Sequence, residues 1–314
     1  MINESAIKAV FSGSLKLKPA ETCLVVTDTI KKEIGQAFYK YALNISSKTD
    51  IAVIEPTREH GEEPPEIIAK QMLQYDVELL ITEKSLTHTK ARREATLKGV
   101  RIATMPSITE DIANRCLDID YDALKLESNR IYDVLNASRT VRVITGLGTD
   151  ITFKIGKGHF FGKDGGSFDY PGAFGNLPEG EVSFSPKTCD GIYVVDASFP
   201  DLGILDSPLT FKVKEGKVYE IAGKRSGEVI NRLDRVGPKA YFVAELGIGL
   251  NPKAKVIGNI LEDEKVIGTV HVALGNNLSY GGTNDVPLHL DGVLTKPDIY
   301  VDDKRIMKKG HFIR

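Results

Sequence analysis

Apolar and polar positions follow two rhythms along this chain, and the change falls near residue 136. Before it, short apolar runs alternate with helical periodicity. Cys23-Leu-Val-Val-Thr27 reads as a strand buried on both faces. Ile30, Ile34, Ala37, Phe38 and Tyr41 then recur at helical spacing, with Asp28 or Thr29 as the expected N-cap. Ile51 to Ile54, Val77 to Ile81 and Val100 to Thr104 repeat the strand signal. A helix opened by Pro64-Pro65 and running through Leu73, and another from Lys90 to Lys98 ended by Gly99, fall between them. The stretch from Glu110 to about Asn136 is expected to be largely helical. This alternation predicts an α/β N-terminal domain with a mostly parallel sheet, over residues 1–136.

From Ser138 onward the period becomes two. Val141 to Ile144 and Ile151 to Ile155 flank Gly146-Leu-Gly-Thr-Asp150, a hairpin pattern. Phe211 to Tyr219 folds back at Glu215-Gly216, and Val301 to Ile306 forms a third hairpin. Residues 137–314 are therefore expected to be a β-rich C-terminal domain, built as a curled sheet or barrel. No internal repeat or low-complexity segment is present.

Composition narrows the class. The chain has 314 residues, 41% hydrophobic and 27% charged, with a net charge of −2. That is enough length for two globular domains, without the basic field that nucleic acid or an anionic membrane would attract. No apolar run approaches the roughly 20 residues that cross a bilayer. The first residues, Met1 to Ala6, lack the basic region and long apolar core of a signal peptide. Cys23, Cys116 and Cys189 are odd in number and widely spaced, which argues against a disulfide framework and leads to the expectation of a reducing cytoplasmic setting. Cys23 and Cys116 are expected as small core residues.

Several familiar signatures fail. Gly146-Leu-Gly148 precedes a strand rather than a helix, so it is no dinucleotide fingerprint. Gly158-His-Phe-Phe-Gly-Lys163 is one residue short of a phosphate loop. His60, His159 and His311 lie in polar or Gly-rich contexts that suggest no chemistry.

The candidate chemistry sits in the C-terminal half. His289-Leu-Asp291 places an imidazole and a carboxylate two apart, on one face of a strand. His271 lies 18 residues earlier, in the strand-like Thr269-Val-His-Val-Ala273. Upstream, Glu181 follows Leu177-Pro-Glu-Gly180, and Glu245 ends Tyr241-Phe-Val-Ala244. A lone histidine or glutamate of this kind is more often a hydrogen-bonded or solvated residue. Five such groups converging would suit zinc, cobalt, manganese or ferrous iron.

These pieces, taken in order, resemble the thermophilic-type metallo-aminopeptidases, the aminopeptidase T and aminopeptidase S group. The matching segments are Asn176 to Val182, the Glu245 segment, His271-Val-Ala-Leu-Gly275 and His289-Leu-Asp291, within residues 140–295. The resemblance implies a homodimer that removes N-terminal residues from a peptide substrate. It implies two divalent metals, such as Zn, Co or Mn, held by Glu181, Glu245, His271, His289 and Asp291. Tyr280 is the nearest match to a family tyrosine and would stabilise an oxyanion. A further family glutamate maps to Glu264 or Glu262. The chain departs from that pattern in its shorter length, the compressed spacing from His271 to His289, and the Gly/Asn-rich insertion before Tyr280.

A second resemblance is to the 2,5-dihydroxypyridine dioxygenase branch of the same scaffold. Gly268-Thr-Val-His271, Gly281-Gly282 and His289-Leu-Asp291 carry it. It implies one ferrous ion, for which two histidines and one carboxylate suffice. It also implies a histidine base from the N-terminal domain, which maps to His88, just after the third strand. A third reading is a non-catalytic metal-binding protein. The two surplus carboxylates, Glu181 and Glu245, favour the two-metal hydrolase among the three.

Overall fold

The computed structural model describes residues 1–313, with the side chains of 157–161 excluded. His159, and part of the rejected phosphate-loop segment, lie outside the described side chains. The chain divides into two compact units. One comprises Met1–Lys125 and Asp164–Glu179, and the other Leu126–Lys163 and Gly180–Arg314.

The first unit is built on a five-stranded parallel sheet. Its strand order is Thr49–Ile54, Cys23–Asp28, Val77–Ile81, Arg101–Thr104 and Phe174–Asn176. Cys23–Asp28 and Val77–Ile81 are buried at every position, as strands covered on both faces should be. Leu24, Val26, Leu80 and Ile102 pack with Met72, Ala91 and Ala95 into one apolar cluster. Each fully buried aliphatic side chain of this kind contributes about 1.5–3 kcal/mol. Glu78 is the polar exception, buried in an interior strand with neither carboxylate oxygen hydrogen-bonded.

The unit division differs from a single cut at 136/137. Residues 164–179 return to the first unit because Phe174–Asn176 pairs with Arg101–Thr104 as a fifth strand. That strand is only three residues long, too short to register as a periodic signal. The expected helix over 110–136 is two helices, Glu110–Cys116 and Tyr121–Asn136. The helix after the first strand starts at Lys32, so neither Asp28 nor Thr29 caps it. Asp28 instead accepts the backbone N–H groups of Ile30, Lys31 and Glu83, closing a local turn.

The second unit is β-rich. Among the described residues its sheet has eleven strands. The main path runs His289–Leu294, Val270–Gly275, Val243–Gly249, Glu181–Val195, Asp150–Phe161, Thr140–Ile144, Asp298–Val301, Lys304–Lys308 and His311–Phe312. The hairpin Leu209–Lys214 and Lys217–Ala222 branches from Glu181–Val195. The path has two ends, so these pairings describe an open sheet rather than a closed barrel. All three expected hairpins are present. At Glu215-Gly216 both residues have positive φ, the geometry of a two-residue turn that matches strand twist. All three cysteines are buried and free. No described helix is long and apolar enough to cross a membrane.

Candidate metal centre

Four neighbouring strands of the second unit carry the five residues singled out in the sequence. Glu181 opens one strand and lies opposite Gly249. On the next strand, Gly247 lies opposite His271 and Glu245 opposite Ala273. Ala273 in turn lies opposite Asp291, and Gly275 opposite His289. Directly opposed residues share a face, as do alternate residues along a strand. Glu181, Glu245, His271, His289 and Asp291 therefore all project from the same side of the sheet. A register shift between Val243 and Glu245 marks a bulge beside them.

The side chains meet. His271 Nε2 lies 3.1 Å from Glu181 Oε2 and 3.6 Å from Glu245 Oε1. His289 Nε2 lies 2.9 Å from Glu245 Oε2 and 3.3 Å from Asp291 Oδ1. Glu245 thus turns one oxygen toward each imidazole. His289 Nδ1 lies 2.8 Å from the Asn276 carbonyl oxygen, which can only accept. Nδ1 therefore carries the proton, and the Nε2 lone pair of the neutral ring faces the cluster.

Two residues complete the centre. Glu264 groups with His271 and Asp291, with ligand atoms within 4.8 Å of one another. Glu262 does not join: its carboxylate accepts the Lys255 N–H at 2.6 Å. Lys265, which the sequence did not single out, is 2% exposed. Its ammonium lies 2.5 Å from Glu181 Oε1 and 2.7 Å from Glu264 Oε1. Glu262-Asp-Glu-Lys265 reads as a solvated charge run, yet Glu262, Asp263 and Lys265 are buried. The run is folded inward by the short helix Ile260–Asp263 and by the Asn251 N–H bond to the Lys265 carbonyl.

Tyr280 reaches the centre despite the insertion before it. The loop is folded back by its asparagines: Asn276 N–H bonds to Leu288 O, and Asn277 N–H to Asn284 O. The Asn284 amide bonds back to Gly275 O. The Tyr280 ring stacks on His289, centroids 5.7 Å apart with 16° between planes. Burial and the negative charge of Glu245, Glu181 and Asp291 push its phenol well above the ordinary range. It is consequently an O–H donor at neutral pH, not a base.

His88 belongs to the first unit and is exposed, just before the helix Lys90–Leu97. Its carbonyl accepts the Arg93 guanidinium. The ring is not among the clustered groups.

The electrostatics are those of a cation cradle. Burial opposes ionisation of Glu245, but the two imidazoles outweigh it and hold the carboxyl well below its usual range. Burial likewise opposes charge on His271 and His289, and neighbouring carboxylates overcome it, raising both. Burial pushes Glu264 up to about 8 against the pull of Lys265. Glu181 Oε2, both Glu245 oxygens and Asp291 Oδ1 are buried without a well-directed hydrogen bond among the described residues. Buried carboxylate oxygens in that condition are costly unless a cation meets them. The donor set, two imidazole nitrogens with several carboxylate oxygens, fits a first-row divalent metal.

Fold and site together define a two-unit α/β-plus-β scaffold with a His/Glu/Asp cation cradle on its antiparallel sheet. The chain belongs to the 2,5-dihydroxypyridine 5,6-dioxygenase (NicX) family, whose profile matches residues 15–314. It is similar to the 2,5-dihydroxypyridine 5,6-dioxygenase of Pseudomonas putida KT2440, at 23% identity over 262 residues, 78% of this chain and 74% of that protein. The solved structure of a 2,5-dihydroxypyridine dioxygenase from the same organism matches with a TM-score of 0.82 at 17% identity, over 99% and 96% of the two chains. Wild-type AmpT from Thermus thermophilus matches with a TM-score of 0.69 at 16% identity, over 99% and 98%. Both structural matches show the fold alone.

The expectation of an aminopeptidase is overturned by the family match. It rested on Glu181 and Glu245 as surplus ligands for a second metal. The geometry accounts for that surplus differently. Glu181 is engaged by Lys265 and His271, and Glu245 is shared between the imidazoles.

Proposed function

We propose that this protein is a non-haem, ferrous-iron-dependent dioxygenase that opens the ring of a dihydroxypyridine-like substrate. The family match over residues 15–314 carries the reading. The cradle supports it, since it provides both imidazoles and several carboxylates on one sheet face. His271, His289 and Asp291, with Glu245 between the imidazoles, would hold the ion. Bound there, ferrous iron would supply the one-electron chemistry that lets molecular oxygen react with an electron-rich ring.

The chain's own residues set the conditions for that chemistry. Asn276 fixes the His289 ring and its tautomer, so the same nitrogen would be offered to an ion held there. Tyr280 stacks on that ring and holds a neutral phenol beside Glu245, able to donate a hydrogen bond to a developing oxyanion. Burial of Glu181, Glu245 and His271 excludes water from one flank, while His289 remains partly exposed. A hydroxylated ring would meet its acidic oxygens with this half-open side.

The test is reconstitution. Metal-free protein is loaded anaerobically with Fe²⁺, and separately with Zn²⁺, and oxygen consumption is followed with 2,5-dihydroxypyridine. Uptake with Fe²⁺ alone, accompanied by loss of the aromatic absorbance, is expected. Iron bound at the site with no oxygen uptake on any dihydroxypyridine isomer would sink the reading.

A further inference from the structure

Glu181 presents its two oxygens to two different positively charged or charge-accepting partners. Oε1 meets the Lys265 ammonium at 2.5 Å, and Oε2 faces His271 Nε2 at 3.1 Å. A carboxylate that bridges two cations uses its two oxygens in this divided way, as in two-metal sites whose ions stand about 3.5–4 Å apart. Here one of the two positions is filled covalently, by a side chain. Lys265 also engages Glu264, whose Oε1 lies 2.7 Å from its ammonium. Two of the four carboxylates are thereby committed, leaving Glu245 and Asp291 facing the imidazoles.

The ammonium cannot easily be pushed aside. Lys265 is 2% exposed, and its backbone is fixed at both ends. Its N–H bonds to Glu262 O at 2.9 Å, and its carbonyl accepts Asn251 N–H at 2.8 Å. A metal entering that position would strand a buried positive charge beside a dication, which is strongly unfavourable.

We propose that Lys265 is a built-in cation occupying the second cation position of the cradle, so that the centre accepts one divalent metal instead of two. The proposal rests on the cradle being a metal site, as in the reading above, and not on the reaction carried out there. Glu181 is accordingly a positioning residue, tied to Lys265 and orienting His271.

The experiment measures stoichiometry in the full-length protein with Zn²⁺, which does no oxygen chemistry. Metal-free wild type is titrated calorimetrically, and bound zinc is counted by elemental analysis after gel filtration. Wild type should take up one Zn²⁺ per chain, Lys265→Met two, and Lys265→Arg one. Two Zn²⁺ in the wild type, or one in folded Lys265→Met, would overturn the proposal. If Lys265→Met is unfolded without metal, its circular dichroism is followed as Zn²⁺ is added. Recovery of the wild-type spectrum with two bound ions supports the substitution of metal for ammonium. A variant still unfolded at saturating Zn²⁺ counts against it. Because the readout is zinc counting, a protein that consumes no oxygen yet binds one Zn²⁺ upholds Lys265's role while refuting the dioxygenase. Oxygen uptake by a protein holding two ions does the reverse.

Discussion

The His271 imidazole lies over the bare backbone of Gly247, its partner across the strand pair. A Cβ at residue 247 would collide with Nε2 and Cε1 of the ring. Nε2 is the atom that faces Glu181 and Glu245, so the glycine provides the space in which a ligand ring sits. Gly247→Ala should fold, because its neighbours are paired on both sides, yet it should displace the ring. Metal affinity should fall about 10- to 100-fold, the range for losing a group that orients a ligand. Calorimetric titration of metal-free protein checks this. Unchanged affinity would mean that the ring position does not matter for binding.

Glu245 turns one oxygen toward each imidazole, so its loss should weaken both halves of the cradle. Glu245→Gln and His289→Ala are each expected to lose metal and activity together, by at least tenfold in affinity. Elemental analysis after dialysis, beside oxygen uptake, provides the comparison. Full metal occupancy in either variant would remove that residue from the ligand set.

Glu78 permits a pH prediction well separated in sequence from the cradle. Its carboxyl is raised well above the ordinary range by burial, with no hydrogen bond to either oxygen. An acid raised in the folded state favours folding fully below its unfolded value. That contribution is lost as pH rises from the unfolded toward the folded value. Wild-type stability should therefore decline as pH rises above the ordinary carboxylate range. Glu78→Met, similar in volume and apolar, should be more stable at pH 7 by about 1–3 kcal/mol, the cost of an unsatisfied buried group. The gain should shrink toward pH 4. Urea unfolding across pH measures it, and a pH-independent difference would refute the assignment.

His88 is an exposed imidazole following the strand Val77–Ile81, near the end of a parallel strand where open α/β sheets bind ligands. If it supplies the base implied by the dioxygenase resemblance, His88→Gln should lower turnover by about 10²- to 10⁴-fold. Metal content and thermal stability should be unchanged. The pH–rate profile should also lose its acidic limb. Wild-type turnover in the variant would show that His88 takes no part.

The period-two pattern after Ser138 and the buried runs before it made the two architectures legible, because side-chain alternation follows directly from backbone geometry. His289-Leu-Asp291 was legible for the same reason. The meeting of His271 with Glu181 and Glu245 was not, since it depends on which strands become neighbours across more than sixty residues of chain. Glu181 follows Pro178 and Gly180, residues that mark turns, yet it opens a fifteen-residue strand. Lys265 was hidden in a run of charges that ordinarily stays in water. Whether a carboxylate is surplus or already satisfied is a property of its neighbours in space. That is why the sequence favoured two metals, whereas the folded cluster carries its own ammonium.

His289 and Asp291 stand on the last strand of the main path, His289–Leu294, which pairs along one side with Val270–Gly275. On its other side, Ala197 donates a single backbone N–H to Val293. Edge strands are the first parts of a sheet to open transiently. Each such opening would carry both groups away from Glu245 and His271 together. An ion held by all of them would rivet the margin of the sheet to its interior. Amide hydrogens along 289–294 would then exchange slowly when the ion is bound and quickly when it is gone, and metal release would share its rate with that local opening.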